Sequence, residues 1–140
     1  LEIEQRIGDR ADEAATWRNL AVVDVEQKEY RAAREKFQKS LEITQQIGDK
    51  AGEGAIFAQI GIMASRRARV EEGLCLVALG ATILGSIGHA HLKQVAPLVN
   101  NLASELQYPQ EQFDAMLREV QEAYDRDRGW SLIDAAFGED

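Results

Sequence analysis

Apolar positions recur every three or four residues along almost the whole chain, interrupted at regular intervals by a glycine or a cluster of charge. That spacing marks amphipathic helices, since buried positions of strands would alternate. The pattern predicts a helix over residues 10–27, with Asp9 as N-cap, Asp12 and Glu13 in the first turn, and Trp17, Leu20, Ala21 and the following valines inward. A break at Lys28 and Glu29 precedes a second helix over 30–47, which buries Ala33, Phe37, Leu41 and Ile47 and stops at Gly48. Helices are predicted again over 51–66 and 70–87, the latter closed by Gly88. Two more span 90–107 and 109–126, with Pro109 suited to a first helical position. A last amphipathic stretch, Trp130–Phe137, follows a stop at Gly129 and carries Trp130, Ile133 and Phe137 on one stripe.

The elements are not independent, because the chain repeats itself. Leu1, Glu2, Ile3, Gln5, Ile7, Gly8 and Asp9 recur as Leu41, Glu42, Ile43, Gln45, Ile47, Gly48 and Asp49, seven identities in nine positions at an offset of forty. A weaker third copy keeps Ile83, Ile87 and Gly88. The same offset relates Trp17 to Phe57, Leu20 to Ile60, Ala21 to Gly61, Ala33 to Gly73, Phe37 to Val77 and Ser40 to Gly80, so large positions stay large and small ones small. The expected organisation is one array: residues 1–9 as the end of a preceding unit, 10–48 and 49–88 as two full units, 89–128 as a degenerate third, and 129–140 as a capping segment. The chain starts at Leu1 inside a helical pattern, so it reads as a stretch of something longer. Pro97 falls where Trp17 and Phe57 stand, and Asn100 and Asn101 replace the leucine and the small residue; the helix over 90–107 is expected to be bent or shortened.

Composition narrows the function. Among 140 residues, 24 acidic side chains against 16 basic give a net charge of -8, which disfavours nucleic acid as a partner. One cysteine and two prolines leave no disulfide framework or thiolate metal site. The longest uncharged run, from Gly73 to the residue before Lys93, contains four glycines and two histidines and does not suit a membrane span. With no leader pattern, the expectation is a cytoplasmic protein. His89 and His91 lack companion ligands, and His89 occupies the capping slot that Asp9 and Asp49 hold elsewhere. Cys75 lies in an apolar stretch and reads as a small buried hydrophobe. Arg66, Arg67 and Arg69 complement a helix C-terminus. No catalytic residue, metal site or cofactor site is expected.

The repeat positions resemble the tetratricopeptide repeat. Trp17, Leu20, Ala21, Tyr30, Ala33, Phe37 and Ser40 fill its bulky, small and aromatic positions, and Phe57, Ile60, Gly61, Val70, Gly73, Val77 and Gly80 fill them again. The period of forty is similar to the long variant of kinesin light chain, spindle-orientation adaptors and bacterial signalling proteins. The resemblance implies an all-α, right-handed solenoid of antiparallel helix pairs, whose first helices line a concave face that binds a protein or peptide partner. On that reading Asn19 and Gln59 contact peptide backbone, with Val99 unable to do so in the third unit. Arg18, Val22, Val25 and Glu26 from the first unit share the face with Ala55, Ala58, Ile62, Ser65 and Arg66 from the second. The implied role is a non-catalytic interaction module. Two alternatives stand beside it: a regulatory or sensor segment of a larger enzyme or transcription regulator, and a scaffold that self-associates through the open apolar flank at Leu1, Ile3 and Ile7. Trp130–Phe137 is read as a cap on the third unit, with occupation of the concave groove as the other option.

Overall fold

The computed structural model describes residues 2–138, so Leu1 of the expected apolar flank and the last two residues of the expected cap lie outside it. The described chain is all-helical: α1 Glu2–Glu26, α2 Tyr30–Ile47, α3 Lys50–Arg66, α4 Val70–Ser86, α5 Leu92–Glu105, α6 Gln110–Asp127 and α7 Trp130–Phe137. No strand occurs among the described residues.

The closest packing joins α1 to α2 and α3 to α4. Small residues make the α3–α4 crossing possible, as their repeat positions foretell. A Cβ on Gly61 would stand 2.7 Å from the Gly73 carbonyl oxygen and from the Val77 nitrogen, and one on Gly80 would stand 2.6 Å from the Gly54 carbonyl oxygen. The two backbones therefore touch at two places. Around them Phe57, Ile60, Leu74, Leu76, Val77 and Leu84 are fully buried, each contributing roughly 1.5–3 kcal/mol of hydrophobic stabilisation. In the first unit Ala21 and Ala33 are the equivalent buried contacts, and Lys36 of α2 pairs with Asp24 of α1.

The turns keep a twenty-residue beat. Left-handed residues stand at Lys28, Gly48, Ala68 and Gly88, and a fifth at Gln107. After each, a backbone N–H reaches five residues back, from Glu29 to Asp24, Asp49 to Thr44, Arg69 to Ala64, His89 to Leu84 and Tyr108 to Ala103, at 2.8 to 3.1 Å. This is the bond that satisfies the last carbonyls of a helix. Glycine occupies the turns between units, and Lys28 and Ala68 the turns within them.

One predicted break is absent. α1 runs straight through Gly8 and Asp9, so Asp9 caps nothing, whereas Asp49 accepts a hydrogen bond from the Gly52 N–H at 3.0 Å and starts α3. Nearly identical segments, 2–9 and 42–49, thus adopt two conformations. At Gly48 the chain turns because α3 packs back on α2, with Gly52 lying against the buried Thr44. Beside Gly8 no described helix receives Ile3 and Ile7, which are 72% and 48% exposed, and continuing the helix satisfies the backbone locally. For the same reason Leu20 and Val23, expected inward, are exposed, while Ile60 is fully buried: α3 packs closely on α1, α2, α4 and α7, whereas the close packing of α1 is with α2 and α3.

The third unit departs from the helix-pair pattern. α5 is shorter than 90–107, carries Pro97 on its exposed side, and makes its main contact with α4 through Val95 and Val99. The backbone of α6 approaches α4 and α7 more closely than it approaches α5. α7 is seated on α3, α4 and α6, with Ile133, Ala136 and Phe137 buried. Its Asp134 accepts from Arg34 of α2 at 2.8 Å, and the Arg34 guanidinium lies over the Phe137 ring. It therefore covers the second unit, through α3 and α4, as well as α6 of the third.

A buried carboxylate anchors this docking. Glu53 of α3 is 1% exposed and accepts from Tyr124 Oη at 2.7 Å, Gln45 Nε2 at 2.8 Å and Lys50 Nζ at 3.3 Å. Lys50 Nζ also donates to Tyr124 Oη, and this bond, followed by the charge of Glu53, raises the Lys50 ammonium above its ordinary value against the opposing effect of desolvation. Gln45 continues the network by donating to the Arg128 carbonyl and accepting from Trp130 Nε1. Three donors, from α2, α3 and α6, therefore close around one charge, with α7 joined to them through Gln45, which is the condition under which burying it is tolerable.

Candidate functional groove

A groove runs between α1 and α3, and two cavities open from it. The larger, about 390 Å³, is walled by small side chains of both helices, among them Ala11, Ala14 and Ala15 on α1 and Ala51, Gly52 and Ala55 on α3. Ser40 and Thr44 of α2 lie at its floor, and Asp49, His89 and His91 at its rim. The smaller, about 110 Å³, is apolar, formed by Val22 and Val25 of α1, Phe37 of α2, and Ile62 and Met63 of α3, with Arg66 at its edge. Gln59 borders both cavities.

Helical phase decides which predicted residues reach the groove. Each residue turns the helix by about 100°, so Arg18, Val22 and Val25 share the groove side of α1, and Ala55, Gln59, Ile62 and Arg66 that of α3; all seven line one cavity or the other. Asn19 and Glu26 lie about a quarter turn away, are exposed, and line neither cavity. Ala58 and Ser65 are displaced the other way, onto the stripe pressed against α4. A Cβ on Gly80 would stand 3.2 Å from Ala58 Cβ, and one on Gly73 3.0 Å from Ser65 Cβ. Ala58 is 2% exposed. A partner lying in the groove meets neither of them.

The groove holds two polar atoms with nothing to bond. Arg18 Nε and Gln59 Oε1 are buried and have no hydrogen-bond partner, although such atoms are ordinarily paired and leaving one unpaired costs roughly 1–3 kcal/mol. One is a donor and the other an acceptor. They differ from the floor hydroxyls, since Ser40 Oγ donates to the Ala14 carbonyl at 2.7 Å and Thr44 Oγ1 to the Ser40 carbonyl at 2.7 Å. At the rim Asp49 is engaged as the cap of α3, whereas His89 Nδ1 accepts from the His91 N–H at 3.1 Å and does not fill the capping slot expected of it: α5 starts at Leu92, with His91 as an N-cap that makes no side-chain cap bond. Apart from Ala55, the small-residue walls were not among the expected site residues. Their trace was the forty-residue echo of Ala11 and Ala15 in Ala51 and Ala55.

Away from the groove, a cavity of about 290 Å³ between α4, α6 and α7 is lined by Glu71, Glu72, Glu119, Tyr108 and Cys75. Burial, reinforced by Glu119, Glu72 and Glu71, pushes the Cys75 thiol up to about 11, which leaves it protonated and unreactive near neutral pH. Among the described residues no three His, Cys, Asp or Glu side chains gather as a metal site, and no helix is long and apolar enough to cross a membrane.

Comparison with known protein families, with curated proteins and with solved structures returns no match to this chain.

Proposed function

We propose that this chain is a non-catalytic interaction module of tetratricopeptide-repeat type, which captures an extended segment of a partner protein in the groove between α1 and α3. The repeat reading is supported by the matching pairs α1/α2 and α3/α4 and by the close helix contact at the positions the period assigns to small residues. The single observation that carries the functional reading is the orphaned pair. A peptide backbone offers carbonyls to Arg18 Nε and N–H groups to Gln59 Oε1, and the two cavities, the smaller of them apolar, accept side chains along it. Arg18 and Arg66 make this surface locally positive within a chain of net charge -8, and neutral segments meet neither charge unfavourably.

The test is the double substitution Arg18→Met and Gln59→Met, which keeps bulk and removes donor and acceptor. Peptides selected on the natural chain from a random library should lose at least tenfold in affinity, while the fold holds or gains stability because no buried atom is left wanting a partner. Equal binding to both proteins would move the site elsewhere.

A second reading, self-association, rests on a different surface. Ile3, Ile7, Leu20 and Val23 are exposed along α1, beside a cavity of about 350 Å³ at Glu13, Thr16, Trp17 and Leu20. Sedimentation velocity over a hundredfold range of concentration tests it; a constant monomer value removes it.

A further inference from the structure

We propose, building on the peptide-capture reading, that the groove selects a segment bearing one aromatic and one aliphatic side chain four positions apart. The volumes differ enough to sort side chains. An apolar protein cavity of roughly 150 Å³ holds benzene. The cavity at Val22, Ile62 and Met63 measures about 110 Å³, below that size, and admits a leucine, isoleucine or valine but not a ring. The one walled by Ala15 and Ala55 measures about 390 Å³ and takes a ring with room to spare.

Charge excludes the large charged occupants. Arg18 lies in the wall of the larger cavity and opposes a lysine or arginine, while the Asp49 carboxylate at its rim opposes an acidic side chain. A ring carries no net charge, and its face attracts a guanidinium.

The spacing follows from helix and strand geometry. From the middle of the large cavity to the middle of the small one is about nine residues along α1 and about eight along α3, which at ~1.5 Å per residue is ~12–13 Å. An extended peptide advances ~3.3 Å per residue, so ~12–13 Å corresponds to four residues. Positions four apart point to the same side of an extended chain; positions three or five apart point to opposite sides. The amides between them pass Gln59, which borders both cavities, where the orphaned donor and acceptor stand.

The experiment uses the full chain and fluorescein-labelled, end-blocked nonapeptides of serine, glycine and threonine. Each carries one leucine and one phenylalanine separated by two to six positions, in both orders, and binding is read by fluorescence anisotropy. A separation of four should bind at least tenfold more tightly than three or five in one of the two orders. Ala15→Leu, which narrows the large cavity, should remove that advantage while circular dichroism stays unchanged. Binding that does not depend on separation, or that ignores Ala15→Leu, overturns the spacing rule. Library-selected peptides supply the separating control: if they lose affinity with Arg18→Met and Gln59→Met yet lack the four-residue pair, the spacing rule falls and the groove stands. If no peptide is sensitive to that double substitution, both fall.

Discussion

The contact between α3 and α4 makes Gly61 the most exacting position in the molecule, and Gly61→Ala tests it. The added methyl would stand 2.6 Å from Val77 Cγ2 and 2.7 Å from both the Gly73 carbonyl oxygen and the Val77 nitrogen. Val77 can turn its side chain, but the two backbone atoms yield only if the helices part. Overpacking of a core costs roughly 1–3 kcal/mol, and the upper end applies where backbone is struck. Alanine returns about 1 kcal/mol through its better helix propensity. The expected net loss is about 2 kcal/mol, which for a chain of this size lowers the melting temperature by roughly 7 °C. Gly85→Ala is the matched control, because its methyl meets only Leu92 Cδ2 at 3.5 Å, an ordinary contact. It should gain up to ~1 kcal/mol. Urea titration followed by circular dichroism at 222 nm gives both values, with equal slopes required for the comparison. If Gly61→Ala proves as stable as the natural chain while Gly85→Ala gains, helix contact at these glycines is not what sets the α3–α4 distance.

Three further outcomes are expected. Gly48→Ala should cost about 1–2 kcal/mol because its left-handed conformation disfavours a Cβ, whereas Gly8→Ala should raise helicity and slow amide exchange around residue 8; if both substitutions destabilise alike, Gly8 forms a turn and α1 is not continuous. Glu53→Gln removes the charge from three hydrogen bonds and should lower stability by about 1.5–3 kcal/mol in urea, and an unchanged midpoint would show that α6 and α7 dock without it. Cys75 at about 11 should react with iodoacetamide at pH 8 roughly a hundredfold more slowly when folded than when unfolded in urea. Because folding favours its protonated form, the stability this confers is present below the ordinary thiol range and is lost as pH climbs through about 11; equal folded and unfolded labelling rates would contradict the burial.

Much of the helical plan was legible because turn chemistry and hydrophobic period agree. Gly48 and Gly88 end helices where expected, and the break after residue 27 falls at Lys28 despite the absence of glycine. What was illegible depended on neighbours distant in the chain. Gly8 and Gly48 sit in nearly the same local sequence and differ only in whether a helix lies opposite. Glu13 and Glu53 occupy the same repeat position, each beside a basic residue three places earlier, yet Glu13 remains 46% exposed and Glu53 is sealed by Gln45 and Tyr124. Nothing local announces that difference. In the groove, Arg18, Val22, Ile62 and Gln59 followed from repeat register, while Asn19 and Ala58 fell off its edges because a one-residue step rotates a helix by about 100°.

The Arg34–Asp134 bridge spans 100 residues of sequence. A repeat array ordinarily touches only its nearest neighbours, so its stability accumulates unit by unit and its ends fray independently. Here the last helix grips the second, and the line is closed into a loop. Fraying from α7 takes Trp130 from Gln45, a partner of Glu53, and at the same time uncovers the face of α3, so the chain should melt in one step rather than peel from one end. Closing that loop also places long-range contacts late in folding, which makes this molecule a slower folder than a linear array of the same helices.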